Sequence, residues 1–294
     1  MKTASYLIKP ASSICNMNCQ YCFYSDVSKQ RRNYSKGIMS KETVEMLIDK
    51  ALADAQEITF AFQGGEPTMA GLNYFIHVVE YVEKLKKEHI IHYAIQTNGY
   101  CLNDEWISFF DKYHFLVGIS LDGYKNIHDQ VRLKGTQPTF EKILNHIQKI
   151  QQTNIDYNIL TVVTSQMVPF AKDIYKFYKE QGFEYIQFIP CLPELDHSTE
   201  HYDLKPKDFY NFYYDIFQLW YEDLKHGHYI SISFFEDLLM IFQGRYPRTC
   251  GMLGECQIQL VIEGDGTVYP CDFYALDQYC LGNITVNNID EIRQ

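Results

Sequence analysis

The sequence predicts an α/β fold built on a parallel sheet, and three observations predict it. Apolar, β-branched runs recur along the first 190 residues, amphipathic segments of helix length separate them, and the two kinds of segment alternate strictly. Buried parallel strands have this composition, and right-handed helical crossovers join them. We therefore expect an open doubly wound sheet or a full or partial barrel, with the chemistry at the carboxyl ends of the strands.

The individual elements are predicted from these runs. The strands begin at Tyr6, Glu57, Ile91, Phe115, Asp156 and Tyr185. Amphipathic periodicity predicts helices at 40–54, 72–88, 103–112, 139–152 and 169–181. The residues expected to cap three of these helices are Ser40, Asn103 and Thr139.

The pattern changes after Pro190, where an irregular polar stretch leads into a long aromatic helix, Pro206–Lys225. A second helix at 234–242, a loop that contains cysteines, and a hairpin around the Glu-Gly-Asp-Gly turn at 263–266 follow. We therefore predict two domains, 1–205 and 206–294.

Composition narrows the class of protein. The formal net charge of −11 leaves no basic stripe for a phosphate backbone, which argues against a nucleic-acid partner. No signal-peptide core is present and no stretch reaches the ~18 apolar residues of a membrane span, so we expect a cytoplasmic protein with no membrane partner. Nine cysteines, an odd number, favour metal ligation, catalysis or burial over a disulfide framework.

Three of these cysteines lie just past the first strand with the spacing C-x3-C-x2-C: Cys15, Cys19 and Cys22. Three thiolates on one loop hold three irons of a cubane, whereas a fully protein-ligated [4Fe-4S] cluster uses four. One iron therefore stays open to chelate an external amino-acid group. The alternatives are a zinc knuckle or buried thiols, but a zinc site needs a fourth His or Cys nearby and none follows.

The Cys triad, with Tyr21 before its third cysteine, resembles the motif of radical S-adenosylmethionine (SAM) enzymes. The resemblance implies a [4Fe-4S] cluster and SAM, with Tyr21 at the cofactor. The second strand ends in Gly64-Gly65-Glu66-Pro67, where glycines allow close backbone approach and a carboxylate can accept an ammonium. It resembles the GGEP motif that binds the SAM amino group; alone, it would be only a tight turn.

Polar residues also end the next two strands, where burial is costly unless they are hydrogen-bonded. Thr97 and Asn98 follow the third strand and either line the site or cap the turn. The family resemblance implies that Ser120 and Asp122 lie near the SAM ribose and carboxylate. It also makes Arg132 a candidate partner of the SAM carboxylate.

The segments LIKPASS, CFY, AFQGGEPT, QTNG and YPCDFY together resemble the anaerobic sulfatase-maturating enzymes over essentially the whole chain. This implies a partial (β/α)6 barrel that ends in a SPASM-like auxiliary-cluster segment. The implied reaction oxidises a Cys or Ser of an unfolded sulfatase, within C/S-x-P-x-R, to Cα-formylglycine through a 5′-deoxyadenosyl radical. A one-electron donor such as a flavodoxin or ferredoxin is the implied partner, and Asp272 is the candidate general base.

Cys250, Cys256 and Cys271 match the opening of that auxiliary domain, which in the family carries two further clusters. The chain stops at Gln294, before the cysteine-rich tail, so we expect an incomplete auxiliary [4Fe-4S] site in a fragment or a shortened form. A fragment that cannot pass the substrate electron onward is expected to cleave SAM without productive oxidation, which is an alternative for this chain. The remaining cysteines lie outside ligand spacing and are expected to be small buried hydrophobes: Cys101, Cys191 and Cys280.

Two rival functions remain at this stage. One is another SPASM-type peptide modifier that forms thioethers or crosslinks in a ribosomal peptide. The other is a non-enzymatic iron–sulfur or zinc scaffold, which leaves the GGEP segment and the polar strand ends without a purpose.

Overall fold

The structure is a computed structural model that describes residues 1–196 and 201–294. Its strands are β1 (Thr3–Ile8), β2 (Glu57–Phe62), β3 (Ile90–Thr97), β4 (Phe115–Ser120), β5 (Leu133–Lys134), β6 (Gln137–Pro138), β7 (Tyr157–Val163), β8 (Tyr185–Pro190), β9 (Ser231–Ile232), β10 (Leu260–Ile262), β11 (Thr267–Tyr269) and β12 (Gly282–Asn283).

The α-helices are α1 (Phe23–Lys29), α2 (Lys41–Asp54), α3 (Leu72–Leu85), α4 (Asp104–Lys112), α5 (Lys125–Val131), α6 (Phe140–Ile150), α7 (Ala171–Glu180), α8 (Pro206–Lys225), α9 (Ser233–Phe242) and α10 (Ile289–Ile292). Short 3-10 helices occupy Pro67–Ala70, Ser165–Phe170 and Asp277–Tyr279. Each predicted strand and helix has a counterpart here. The short α1 and α5 were not predicted.

Ten strands form one sheet in the order β12-β11-β10-β1-β2-β3-β4-β7-β8-β9, and the six predicted strands are parallel neighbours in chain order. Because right-handed crossovers then run in one direction without reversal, their helices cover one face and the sheet curls. The predicted partial (β/α)6 barrel is confirmed. The doubly wound alternative is wrong because the strand order never reverses. The closed barrel is wrong because β1 pairs with β10, not with β8.

An aromatic ladder crosses the centre of this sheet. Tyr6, Phe60, Tyr93 and Phe115 stand in register on four adjacent strands, and all are buried. Neighbouring ring centroids are 6.3, 6.3 and 5.0 Å apart, within the range of stacked aromatic pairs. Packing of large rings in register fixes the relative position of the strands, and therefore of the loops that leave their carboxyl ends.

Two of the three predicted helix caps are confirmed. The Ser40 and Asn103 side chains accept hydrogen bonds from the N–H groups of residues three positions later. Thr139 stands at the N-cap position of α6, but its side chain caps nothing. Its hydroxyl instead donates a hydrogen bond to the Arg132 carbonyl and is also hydrogen-bonded to His128 Nε2. The prediction that Thr139 caps the helix is therefore wrong.

The segment after residue 205 extends both edges of the same sheet. Strand β9 pairs with β8, β10 pairs with β1, and the predicted hairpin is confirmed as the antiparallel pair β10–β11. The division into domains 1–205 and 206–294 stays a prediction. Within the described residues, no helix combines the length and the apolar character needed to cross a membrane.

Candidate functional site

The three cysteines of the C-x3-C-x2-C motif lie on the loop between β1 and α1, at the edge where the parallel strands end. Three backbone hydrogen bonds anchor this cysteine loop. Glu66 N–H donates to Ile14 O, Asn18 N–H to Leu133 O and Gln20 N–H to Val131 O, at 2.8–2.9 Å. The GGEP segment on one side, and the end of α5 with β5 on the other, therefore hold the loop.

The thiols of the cysteine loop are free and lie within electrostatic range of one another. Burial raises the pKa of Cys15 to about 12 and that of Cys19 to about 11, and Arg132 opposes the shift at Cys19. Met17 N–H donates to Cys15 Sγ at 3.4 Å. Thiolate ligation to iron removes the cost of a buried charge, so this donor set fits a cluster. No group of three or more His, Cys, Asp or Glu in the described ranges is arranged around a single metal ion.

The two glycines of the GGEP segment make room for the protein's own chain. Both have positive φ, 87° at Gly64 and 52° at Gly65. A Cβ at Gly64 would lie 2.6 Å from Lys9 Cγ, and a Cβ at Gly65 would lie 2.7 Å from Ser12 O. Their role in approaching a ligand stays a prediction, whereas their role in packing against β1 and the cysteine loop is visible.

Glu66 is buried, and both of its carboxylate oxygens are occupied within the protein. Oε1 accepts hydrogen bonds from the Thr68 backbone and hydroxyl and from Thr97 Oγ1, at 2.7–3.1 Å. Oε2 accepts from Asn98 N–H at 2.7 Å. The side chain thus ties the end of β2 to the end of β3. Its predicted contact with the SAM amino group stays a prediction.

Tyr21, Asp122 and Arg132 form a buried network at the end of β4. The Tyr21 hydroxyl donates to Asp122 Oδ2 and accepts from Arg132 Nη1 at 2.7 Å, and Arg132 Nη1 stands 3.7 Å from Asp122 Oδ2. Burial would lower the pKa of Arg132, but Cys19, Tyr21 and Asp122 raise it well above its usual value. Arg132 Nε is buried without a hydrogen-bond partner among the described residues. An orphaned guanidinium N–H suits the carboxylate of SAM.

The remaining predicted residues of this edge lie beside that network. Ser120 Oγ accepts from Gln96 Nε2 at 3.2 Å. Asn98 Oδ1 accepts from Tyr100 N–H, and Asn98 Nδ2 donates to Asn16 Oδ1 at 2.7 Å. Asn98 therefore caps its turn and also contacts the cysteine loop, whereas its role in lining a cofactor site stays a prediction.

Asp272, the candidate base, follows the β10–β11 hairpin and reaches the end of β2. Its Oδ2 accepts from Gln63 Nε2 at 2.9 Å and from the Tyr24 hydroxyl at 3.1 Å, and Gln63 Nε2 also donates to Tyr24 Oη at 2.8 Å. Burial and the nearby Asp272 raise the pKa of Tyr24 well above its usual value, so the phenol stays a donor. Asp272 is 7% exposed.

Cys250, Cys256 and Cys271 are free, and Cys250 interacts with residues near the other two. Gln257 N–H donates to Cys250 Sγ at 3.4 Å, and Cys271 lies within electrostatic range of Cys250. Burial raises the pKa of Cys271. Of the other cysteines, Cys191 is buried as expected, whereas Cys101 is only partly buried. Cys280 is exposed, because it follows a surface 3-10 turn, so that expectation is wrong.

Sequence reasoning missed a second buried cluster below this site. Lys9 Nζ and Arg31 Nη1 both contact Glu263 Oε1, at 2.5 and 2.6 Å, and all three side chains are buried. Lys9 Nζ also lies 5.0 Å from the centre of the Tyr24 ring. A charged residue at the end of a buried apolar strand is the only trace of this cluster in the sequence.

Residues 10–171 match the model of the radical SAM superfamily, and residues 253–294 match that of the SPASM iron-sulfur cluster-binding domain. A cysteine-type anaerobic sulfatase-maturating enzyme of Clostridium novyi is 44% identical over 99% of this chain and 79% of the relative. The chain belongs to the anaerobic sulfatase-maturating enzyme family. This membership confirms the predicted enzyme class and its cofactor classes, SAM and iron–sulfur, and the alternative of a non-enzymatic scaffold is wrong.

Two further members of the anaerobic sulfatase-maturating enzyme family extend the comparison. A serine-type enzyme of Bacteroides thetaiotaomicron is 30% identical over 97% of this chain and 73% of its own length. The solved structure of native anSMEcpe with bound AdoMet and Cp18Cys peptide is 40% identical and superposes with a TM-score of 0.92. The alignment covers 100% of this chain and 80% of that one.

Proposed function

We propose that this chain is a peptide-modifying oxidase that converts the cysteine of an unfolded sulfatase segment, Cys-x-Pro-x-Arg, to Cα-formylglycine. The observation that carries the proposal is the placement of Asp272, hydrogen-bonded by Gln63 and Tyr24, at the strand edge that also bears the cysteine loop. Cysteine as the target, rather than serine, is supported by the greater identity to the cysteine-type relative.

Cys15, Cys19 and Cys22 would hold the [4Fe-4S] cluster, since they are the free thiols of the loop at this edge. Arg132 would bind the SAM carboxylate, because its guanidinium is buried and its Nε–H has no hydrogen-bond partner in the part of the chain that the structure describes. When bound, the cluster and SAM supply the 5′-deoxyadenosyl radical that removes a hydrogen atom from the substrate Cβ. The polar side chain of Ser120 lies at the end of β4, where it would contact the ribose.

Asp272 would accept the proton that the oxidation releases. Oxidation of the cysteine side chain to a thioaldehyde removes one hydrogen atom, which the 5′-deoxyadenosyl radical takes, one proton, and one electron, which would pass to the auxiliary cluster. Water then hydrolyses the thioaldehyde to the aldehyde and releases the sulfur as hydrogen sulfide. A carboxylate held by two neutral donors is positioned to act as the general base for that proton. Tyr24 and Gln63 would be its positioning residues.

Cys250, Cys256 and Cys271 would hold an auxiliary cluster next to this base, since Asp272 directly follows Cys271. The chemistry also requires an external one-electron donor such as a flavodoxin or ferredoxin. The nine free thiols suit a reducing compartment, and we place the enzyme in the cytoplasm. Domains 1–205 and 206–294 remain our proposed division.

The test is anaerobic reconstitution followed by SAM, a reductant and one of three peptides: Cys-x-Pro-x-Arg, Ser-x-Pro-x-Arg, or a matched Ala-x-Pro-x-Arg control. We expect an aldehyde by mass and hydrazine reactivity on the Cys peptide, little on the Ser peptide and none on the control. Equal yields from Cys and Ser would refute the cysteine preference. A dehydrogenated Cys peptide without an aldehyde would favour the thioether-forming alternative.

A further inference from the structure

The Lys9–Glu263–Arg31 cluster joins the two ends of the described chain. Lys9 follows β1, Arg31 follows α1, and Glu263 follows β10. Burial alone would raise the pKa of Glu263, but Lys9 and Arg31 lower it below its usual value. Glu263 therefore remains an anion that holds both cations in the interior.

Lys9 also faces the proposed base. Its ammonium lies over the Tyr24 ring at 5.0 Å, and Asp272 is within electrostatic range. The Tyr24 hydroxyl in turn donates a hydrogen bond to Asp272 Oδ2. The buried charges balance as two cations, Lys9 and Arg31, against two carboxylates, Glu263 and Asp272. Lys9 is the cation that contacts Tyr24.

The fold reserves space for the Lys9 side chain. A Cβ at position 64 would lie within 3 Å of Lys9 Cγ and Cδ. The absence of a side chain at Gly64 therefore leaves the space that the Lys9 methylene groups occupy. Because its methylene groups are closely packed, the Lys9 side chain has little freedom to move its ammonium away from the Tyr24 ring.

We propose that Lys9 is a positioning residue: its ammonium, fixed by Glu263, holds the Tyr24 ring and through it the orientation of Asp272. A cation over an aromatic face is most strongly attracted when both groups are desolvated. Removal of that charge frees the ring to tilt and shifts the phenol that donates to Asp272. This inference rests on the proposed function, since Asp272 is taken as the base.

The test variant is Lys9→Met, which keeps most of the stem without the charge. Glu263 then retains its ion pair with Arg31 at 2.6 Å, so the variant keeps one of the two cations on this carboxylate. The matched control is Lys50→Met. Lys50 Nζ also links the first half of the chain to the C-terminal segment, through the carbonyls of Ile284 and Asn287, but it contacts neither Tyr24 nor Asp272.

The first readout is the number of 5′-deoxyadenosine molecules formed per formylglycine. We expect it to rise about tenfold in Lys9→Met, the effect of losing a desolvated cation–π contact, and to stay unchanged in Lys50→Met. An equal ratio in the two variants would overturn the proposal. If Lys9→Met does not fold, Glu263→Gln replaces it, with the same expected rise and the same overturning result.

The second readout does not depend on activity. Phe273 N–H donates to Asp272 Oδ1 at 3.1 Å, and Tyr274 N–H to Cys271 O at 3.3 Å. We expect amide hydrogen exchange across 271–274 to be about tenfold faster in Lys9→Met than in Lys50→Met. Equal exchange would contradict the inference even if the wild-type enzyme formed no formylglycine, so the inference and the proposed function can fail separately.

Discussion

Gln63 Nε2 donates a 2.9 Å hydrogen bond to Asp272 Oδ2, which joins two residues 209 positions apart in the chain. Gln63 directly follows β2, and Asp272 lies beyond the hairpin that extends the sheet next to β1. The bond therefore connects the residue immediately before the GGEP segment with the cysteine-bearing auxiliary segment. It places a carboxylate beside the loop that is proposed to hold the cluster.

Replacement of the proposed base should separate SAM cleavage from peptide oxidation. We expect Asp272→Asn to lower the rate of formylglycine formation about 100- to 10,000-fold, because a general base is removed while its shape is kept. Release of 5′-deoxyadenosine should continue. Asp265→Asn, in the hairpin turn, is the control and should behave as the wild type. Wild-type aldehyde yield from Asp272→Asn would exclude this residue as the base.

The cysteines should fall into two groups when the iron content is measured. Cys19→Ala is expected to lose the iron of the cysteine loop and all 5′-deoxyadenosine formation, because three thiolates are needed to hold a site-differentiated cluster. Cys280→Ala, at an exposed thiol outside the predicted ligand set, should keep both. The check is iron and sulfide per chain after anaerobic reconstitution, together with SAM cleavage. A loss of both in Cys280→Ala would add this residue to the ligands.

Gly64 and Gly71 provide a matched pair for the space that Lys9 needs. Their φ values are 87° and 85°, but a Cβ at Gly71 would meet no atom of residues 1–196 or 201–294 within 4 Å. Alanine is disfavoured by a positive φ at both positions, but only at Gly64 would its Cβ also collide with Lys9, so the difference between the variants reports that collision. We expect Gly64→Ala to be about 1–3 kcal/mol less stable than Gly71→Ala in denaturant unfolding. Equal stabilities would mean that the Lys9 side chain can move away from a Cβ at position 64 without a cost in stability.

The buried His128 should make stability depend on pH. Burial, and then Arg132, lower its pKa well below the usual value, and its Nδ1 accepts from Asp122 N–H. The unfolded chain binds this proton near pH 6.5 and the folded chain does not, so stability is lost as pH falls below about 6.5, by up to ~1.4 kcal/mol per pH unit. His128→Asn should remove that slope from the unfolding free energy measured between pH 7 and 5. Identical slopes would contradict the assignment.

Much of the fold was predictable because buried parallel strands can be recognised in the sequence as apolar runs. The ladder from Tyr6 to Phe115 is built from residues of four such runs, and the predicted motifs lie where those runs end. Helix α1 was missed because it has seven residues and starts immediately after Cys22, too short for helical periodicity to show. The parallel pairing of β10 with β1 was missed because local pattern carries no information on contacts across 250 residues.

The candidate site was predictable to the extent that motifs stand at strand ends. Tyr21, Asp122 and Arg132 were each singled out, but that they form one network follows only from the fold. Lys9 and Glu263 were not predicted as a pair, since 254 residues separate them and a lone lysine after an apolar strand usually points to solvent. Long-range charge pairing is a property of the packed structure.

The central claim is that this chain oxidises the Cβ of a peptide cysteine. Its most direct test is anaerobic turnover with a Cys-x-Pro-x-Arg peptide in which deuterium replaces both hydrogens on the cysteine Cβ. The masses of the peptide and of 5′-deoxyadenosine are then measured. The account predicts an aldehyde on the peptide and one deuterium in each 5′-deoxyadenosine formed with it. Aldehyde formation with unlabelled 5′-deoxyadenosine, or labelled 5′-deoxyadenosine with no aldehyde, would contradict it.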